Sequence, residues 1–144
     1  MLKKLSAIFG GGCYLCRGEA AGALCAACEA ELPWLPEPRC PRCALPSPGG
    51  ALCGRCLAAP PRYDATFAAL AYDFPGDALV HALKFRGELA LAPLLGGFLR
   101  DAVPSREIHA ANFIVPVPLS GARLAQRGFN QAVELAPAQG VRGG

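Results

Sequence analysis

Eight cysteines stand in four Cys-x-x-Cys pairs, Cys13/Cys16, Cys25/Cys28, Cys40/Cys43 and Cys53/Cys56, with eight, eleven and nine residues between successive pairs. Two residues between thiolates let a tight turn aim both sulfurs at one ion about 2.3 Å away, and two such turns complete a tetrahedron. A disulfide framework would suit a secreted chain with a signal peptide, and cytosolic reductants keep thiols reduced. A thioredoxin-like redox pair needs a βαβ setting and does not account for four copies. Iron–sulfur ligation uses the same four thiolates and is the alternative to zinc. Two zinc ions are expected, and with all four positions filled by sulfur they are structural rather than catalytic. Zinc binding of about 10–16 kcal/mol can replace the hydrophobic core that so short a module cannot build.

The gaps at residues 18–22 and 46–50 contain the glycines and prolines of turns. Neighbouring pairs should therefore share a metal. One zinc falls to Cys13, Cys16, Cys25 and Cys28, the other to Cys40, Cys43, Cys53 and Cys56, with an interleaved cross-brace as the alternative. Trp34, between Pro33 and Leu35, is expected to pack between the two ribbons, with a partner-binding anchor as the second possibility.

No cysteine follows Cys56, and the remainder is rich in Ala, Leu, Val and Phe, so composition shifts near Leu57. This suggests an N-terminal segment (1–12), a double zinc ribbon (13–57), a linker (58–62) and a second segment (63–144). The net charge of +3 permits a nucleic-acid partner without arguing for one, because counterion release needs a clustered basic face. Lys3 and Lys4 precede too short an apolar run for a secretory leader, and no stretch reaches the roughly 18 uncharged apolar residues of a membrane span. A cytoplasmic protein is expected.

In the second segment, Tyr63 to Asp73 suits a strand, and Pro75-Gly76 turns the chain. Leu79, Val80, Leu83 and then Leu91, Leu94, Leu95, Phe98 recur at helical spacing and predict two consecutive helices. Asn112 to Pro118 reads as a strand, Leu119 to Arg123 as a polar loop, and Arg127 to Ala136 as a helix opening. Strand, loop and helix in this order predict a parallel α/β sheet with ligands beyond the strand ends. His81 and His109 receive no role.

These motifs resemble the ComF family, in which a zinc-ribbon module precedes a type I phosphoribosyltransferase-like domain. The matching features are the Cys-x-x-Cys pairs, Cys53-Gly-Arg-Cys56, Leu83-Lys-Phe-Arg-Gly87, and Val115-Pro-Val-Pro118 leading to Arg127-Gly-Phe-Asn-Gln131. The resemblance implies that Leu119, Ser120, Gly121, Ala122 and Arg123 form the loop that cradles pyrophosphate oxygens, through backbone N–H groups. It implies phosphate or nucleic-acid contacts at Lys84, Arg86, Arg127, Gly128, Asn130 and Gln131. Lys84 and Arg86 read alone are solvated helix tips, and Asn130 and Gln131 are expected to cap or brace.

The resemblance also implies a role in DNA uptake or DNA handling, with single-stranded DNA and a competence-type helicase as partners. Phosphoribosyl pyrophosphate would be a ligand only of a full-length relative. Thr66 is the only threonine and no two acidic residues are adjacent, so the acidic ribose-phosphate loop of phosphoribosyltransferases is absent. The sequence therefore reads as a chain truncated at the C-terminus, and no catalytic residue is assigned. Three readings follow: a catalytically incomplete ComF-like protein, a transferase when full length, or a zinc-ribbon module that binds single-stranded DNA or protein. In the last, Arg39, Arg42 and Arg55 join Lys84, Arg86, Arg123 and Arg127 on one phosphate-tracking face.

Overall fold

The computed structural model describes residues 12–136. Lys3 and Lys4 lie outside the described residues, as does Pro137, a residue that the sequence would set as the stop of the last helix. Each ribbon is a knuckle followed by a short helix. In the first, the Cys13 N–H donates to the Gly18 carbonyl at 2.7 Å, and the Arg17 N–H to the Cys13 carbonyl at 2.9 Å. The second repeats this bond for bond, Cys40 to Leu45 at 2.8 Å and Ala44 to Cys40 at 2.9 Å. Isolated antiparallel bridges, Gly12 with Glu19 and Arg39 with Pro46, close the two knuckles. The residue after the second cysteine is left-handed in both, Arg17 at φ 64° and Ala44 at φ 60°. Non-glycine residues rarely adopt that conformation, and its recurrence identifies one local design used twice. Helices α1 (Ala26–Ala30) and α2 (Gly54–Ala58) then carry the second pair of each ribbon.

The remaining regular elements are helices: α3 (Gly76–Arg86), α4 (Ala92–Ala102), α5 (Ser105–Ala110), α6 (Gly121–Arg127) and α7 (Gln131–Leu135). Both helices expected after Asp77 are present as α3 and α4, joined by a 3-10 turn over Leu89–Leu91. Their apolar spacing is used as predicted except at Val80, which is not part of the core cluster. Leu79, Ala82 and Leu83 of α3 meet Leu91, Ala92 and Leu95 in one core, which Cys13, Leu24 and Leu32 of the first ribbon complete. Ribbon and helices thus bury the same apolar surface. Gly76 stands at the seam: a Cβ there would lie 3.1 Å from Pro33 Cγ, so any larger residue would have to push Pro33 aside by a few tenths of an ångström.

Trp34 fastens the first ribbon to the second segment rather than the two ribbons to each other. Its indole N–H donates to the Glu29 carbonyl at 3.0 Å, and its ring meets Phe98 of α4 edge to face at 5.0 Å. The second ribbon is tied on by Arg39, which donates to the Ala68 carbonyl at 2.9 Å, and by Arg42, which donates to the Tyr63 carbonyl.

The α/β sheet is not found: among the described residues there is no strand, only three isolated bridges. The run Tyr63 to Asp73 pairs at a single point, Leu70 with Trp34, where the Leu35 N–H reaches the Ala69 carbonyl and the Ala71 N–H the Pro33 carbonyl. Pro33 and Pro36 lack the N–H groups that would lengthen this ladder. Residues 112–118 alternate in exposure like a strand, with Phe113, Val115 and Val117 at 85%, 80% and 74%. They have no neighbour to pair with among the described residues. The polar loop expected from Leu119 is in part helix, and the helix expected from Arg127 begins at Gln131 because Gly128, at φ 78°, ends α6 first.

Leu79 is fully buried at the centre of the shared core. Leu79→Ala should cost about 2–5 kcal/mol, read as a shift in denaturant unfolding followed through the fluorescence of the single tryptophan, Trp34. If the tryptophan signal stays native while α3 melts, the ribbon and helices do not share a core.

Candidate metal centres and a basic cleft

The ligand atoms of Cys13, Cys16, Cys25 and Cys28 all lie within 4.8 Å of one another, and so do those of Cys40, Cys43, Cys53 and Cys56. This is the sequential grouping, and the cross-brace is excluded. The Cys16 and Cys25 sulfurs are 3.7 Å apart, and those of Cys43 and Cys53 are 3.6 Å apart. A tetrahedron with zinc–sulfur bonds of about 2.3 Å has edges of about 3.8 Å, so both cages fit the ion. All eight cysteines are free of disulfides.

Backbone N–H groups prepare the sulfurs for charge. Gly18 donates to Cys16 at 3.4 Å, Cys28 to Cys25 at 3.5 Å, and Cys53 to Cys40 at 3.4 Å. Burial pulls the Cys13 thiol up, but the N–H groups of Cys16, Cys25 and Leu15 outweigh it and bring it down to about 6. Cys40 also comes down to about 6, chiefly through the Cys53 N–H. The partner across each cage moves the other way. The Cys16 and Cys25 thiols hold Cys28 up at about 12, and burial together with the neighbouring thiols does the same for Cys56. Four thiolates in so small a space need a cation among them, and zinc supplies it.

The basic residues divide into two sets. Arg39 pairs with Glu37 at 2.5 Å and Arg42 with Asp64 at 3.7 Å, in addition to their backbone contacts, so both are structural ties rather than members of an open DNA-tracking face. Arg55 is exposed and enters no ion pair among the described residues.

The two motifs of the second segment converge. Lys84, Phe85, Arg86 and Gly87 at the end of α3 face Gln126, Arg127 and Phe129 across a cavity of about 360 Å³. Arg86 donates to the Tyr14 hydroxyl at 2.6 Å. Arg127 donates to Gln131 Oε1 at 2.8 Å and lies over the Phe85 ring at 4.8 Å. Asn130 caps α7 by accepting the Ala132 N–H at 3.0 Å, and its amide donates to the Val117 carbonyl at 3.0 Å, where a neighbouring strand would otherwise bond. Asn130 and Gln131 therefore do cap and brace.

Leu119 to Arg123 do not join this cleft. Ser120 caps α6, its hydroxyl accepting the Arg123 N–H at 3.4 Å, and Gly121, Ala122 and Arg123 form the first turn of α6. Arg127 is in the last turn of that helix. Tyr14, Phe85 and Gln126 were not assigned to the site from sequence. Phe85 lies inside a matched motif, but nothing local signals that Tyr14 of the first ribbon reaches Arg86.

Residues 4–57 match the Double zinc ribbon domain family. Over 130 residues the chain is 38% identical to the DNA utilization protein YhgH of Salmonella typhimurium and 35% identical to that of Escherichia coli K12. It is 32% identical over 128 residues to competence protein F of Haemophilus influenzae. These alignments take in 83–85% of the chain but 55–57% of the relatives, so the chain spans little more than half their length. No solved structure matches it.

The zinc-loaded chain should carry two zinc ions, and Cys40→Ser should release one while the first ribbon and the shared core persist. Metal analysis checks the count, and Trp34 fluorescence checks the core. Retention of both ions, or loss of both together, would contradict two independent cages.

Proposed function

From the homology of this chain to YhgH and competence protein F, we propose that it is a ComF-type protein that acts in DNA handling by binding single-stranded DNA without sequence preference. The reading is carried by one observation: cations from two distant motifs stand together with no carboxylate among them, on a scaffold stapled by zinc. Phosphate contacts supply sequence-independent affinity, and such cations are what a polyanion requires. The names of the relatives, DNA utilization protein and competence protein, support this direction.

In this reading the zinc ribbons perform no chemistry. They hold the second segment, a phosphoribosyltransferase-like scaffold by resemblance, in a shape that presents its basic residues. A competence-type helicase is the proposed protein partner. The eight free thiols support a reducing, cytoplasmic setting, and no helix among the described residues is long and apolar enough to cross a membrane.

Titration of a labelled oligothymidylate into the zinc-loaded chain at low salt, followed by fluorescence anisotropy, should show binding. The affinity should fall with a logarithmic salt slope of roughly 0.7 per phosphate contacted. Arg55→Ala should lower the slope and leave zinc content unchanged, whereas no binding at low salt would defeat the proposal.

A further inference from the structure

We propose that the cleft between the end of α3 and the α6–α7 turn is a phosphate-binding site, seating one tetrahedral phosphate group on Lys84, Arg86 and Arg127. Among the described residues, four arginines are neutralised by carboxylates: Arg39 by Glu37, Arg42 by Asp64, Arg100 by Asp101 and Arg106 by Glu107. The three cations of the cleft are in none of these pairs, and no carboxylate lines the cavity.

The two guanidinium groups are nonetheless held in place. Arg86 bonds the Tyr14 hydroxyl, and Arg127 bonds the Gln131 amide oxygen while resting on the Phe85 ring. Hydroxyl, amide and aromatic face are all neutral. They orient the planar forks and leave their positive charge for a ligand, which is the preorganisation that bidentate phosphate recognition rewards. A cavity of about 360 Å³ has ample room for a phosphate group.

The competing account is that these cations serve the helices, since Lys84 and Arg86 lie in the last turn of α3 and Arg127 in the last turn of α6. A helix C-terminus is worth about half a negative charge. Two such ends offset about one unit of the three, so a surplus of about two charges faces the cavity. Free phosphate, close to a dianion at neutral pH, matches that surplus, and a backbone diester offsets half of it.

The inference depends on the DNA-handling reading only for where the phosphate comes from, a backbone diester or free phosphate. The test is NMR titration of the zinc-loaded, isotope-labelled chain at low salt, with inorganic phosphate in one arm and oligothymidylate in the other. Amide shifts in either arm should concentrate at residues 84–87 and 126–129. Lys84→Gln with Arg86→Gln should weaken that binding about tenfold or more at unchanged zinc content, whereas Arg123→Gln, in the first turn of α6, should leave it unchanged. Shifts with oligothymidylate alone support the site and name the diester as its source. Shifts with phosphate alone support the site and remove the DNA reading. DNA binding that leaves the cleft residues unshifted keeps the DNA reading and overturns the site, as does silence in both arms.

Discussion

Four thiolate sulfurs within 4.8 Å of one another repel strongly unless a divalent cation sits among them, and this chain builds that arrangement twice. Within each cage one thiol ionises easily and another is held protonated far above neutrality, so the ion must displace a proton to complete its four thiolates. The knuckles, the left-handed Arg17 and Ala44, and the N–H groups aimed at sulfur all follow from this requirement. Because Cys13 is itself a wall of the main core, the demand of the first cage extends into α3 and α4. Removing the ion would therefore disturb far more than the ribbon that holds it.

The cages were legible in the sequence because their chemistry is local: spacing alone brings two sulfurs to one ion, and adjacent pairs are the nearest partners. The helices α3 and α4 were legible for a related reason, since their apolar stripe repeats at helical spacing and is buried in that register. Sheet formation was not, because a strand is completed by a neighbour and no local pattern supplies one. Prolines beside Trp34 shorten the one pairing that the run Tyr63 to Asp73 makes among the described residues. Sequence also set Arg39 and Arg42 on a basic face. Each instead reaches a backbone carbonyl and a carboxylate, partners that only the folded chain brings together.

Trp34 shows the same limit from another side. Its place between two ribbons suggested packing between them, yet α4 offers Phe98 and the first ribbon offers the Glu29 carbonyl. An aromatic side chain with a single donor settles where it meets both an apolar face and an acceptor. That choice binds the metal-stapled part to the helical part. The cleft has a similar origin, since Arg86 is steadied by a tyrosine of the first ribbon.

Pro116 and Pro118 lie in the unpaired run that exposes Phe113, Val115 and Val117. If that segment is drawn out as a strand, alternate residues face opposite edges, so both ring nitrogens fall on one side. That side can accept hydrogen bonds from a neighbour all along its length but donates only from Asn112 and Ile114. On the other side, the Val117 carbonyl is already held by Asn130. Amyloid-like growth needs two complete edges on every copy, one to receive the next chain and one to be received. A segment built this way can terminate a stack but is poorly suited to propagate one, which gives an exposed hydrophobic stretch its own protection against fibril growth.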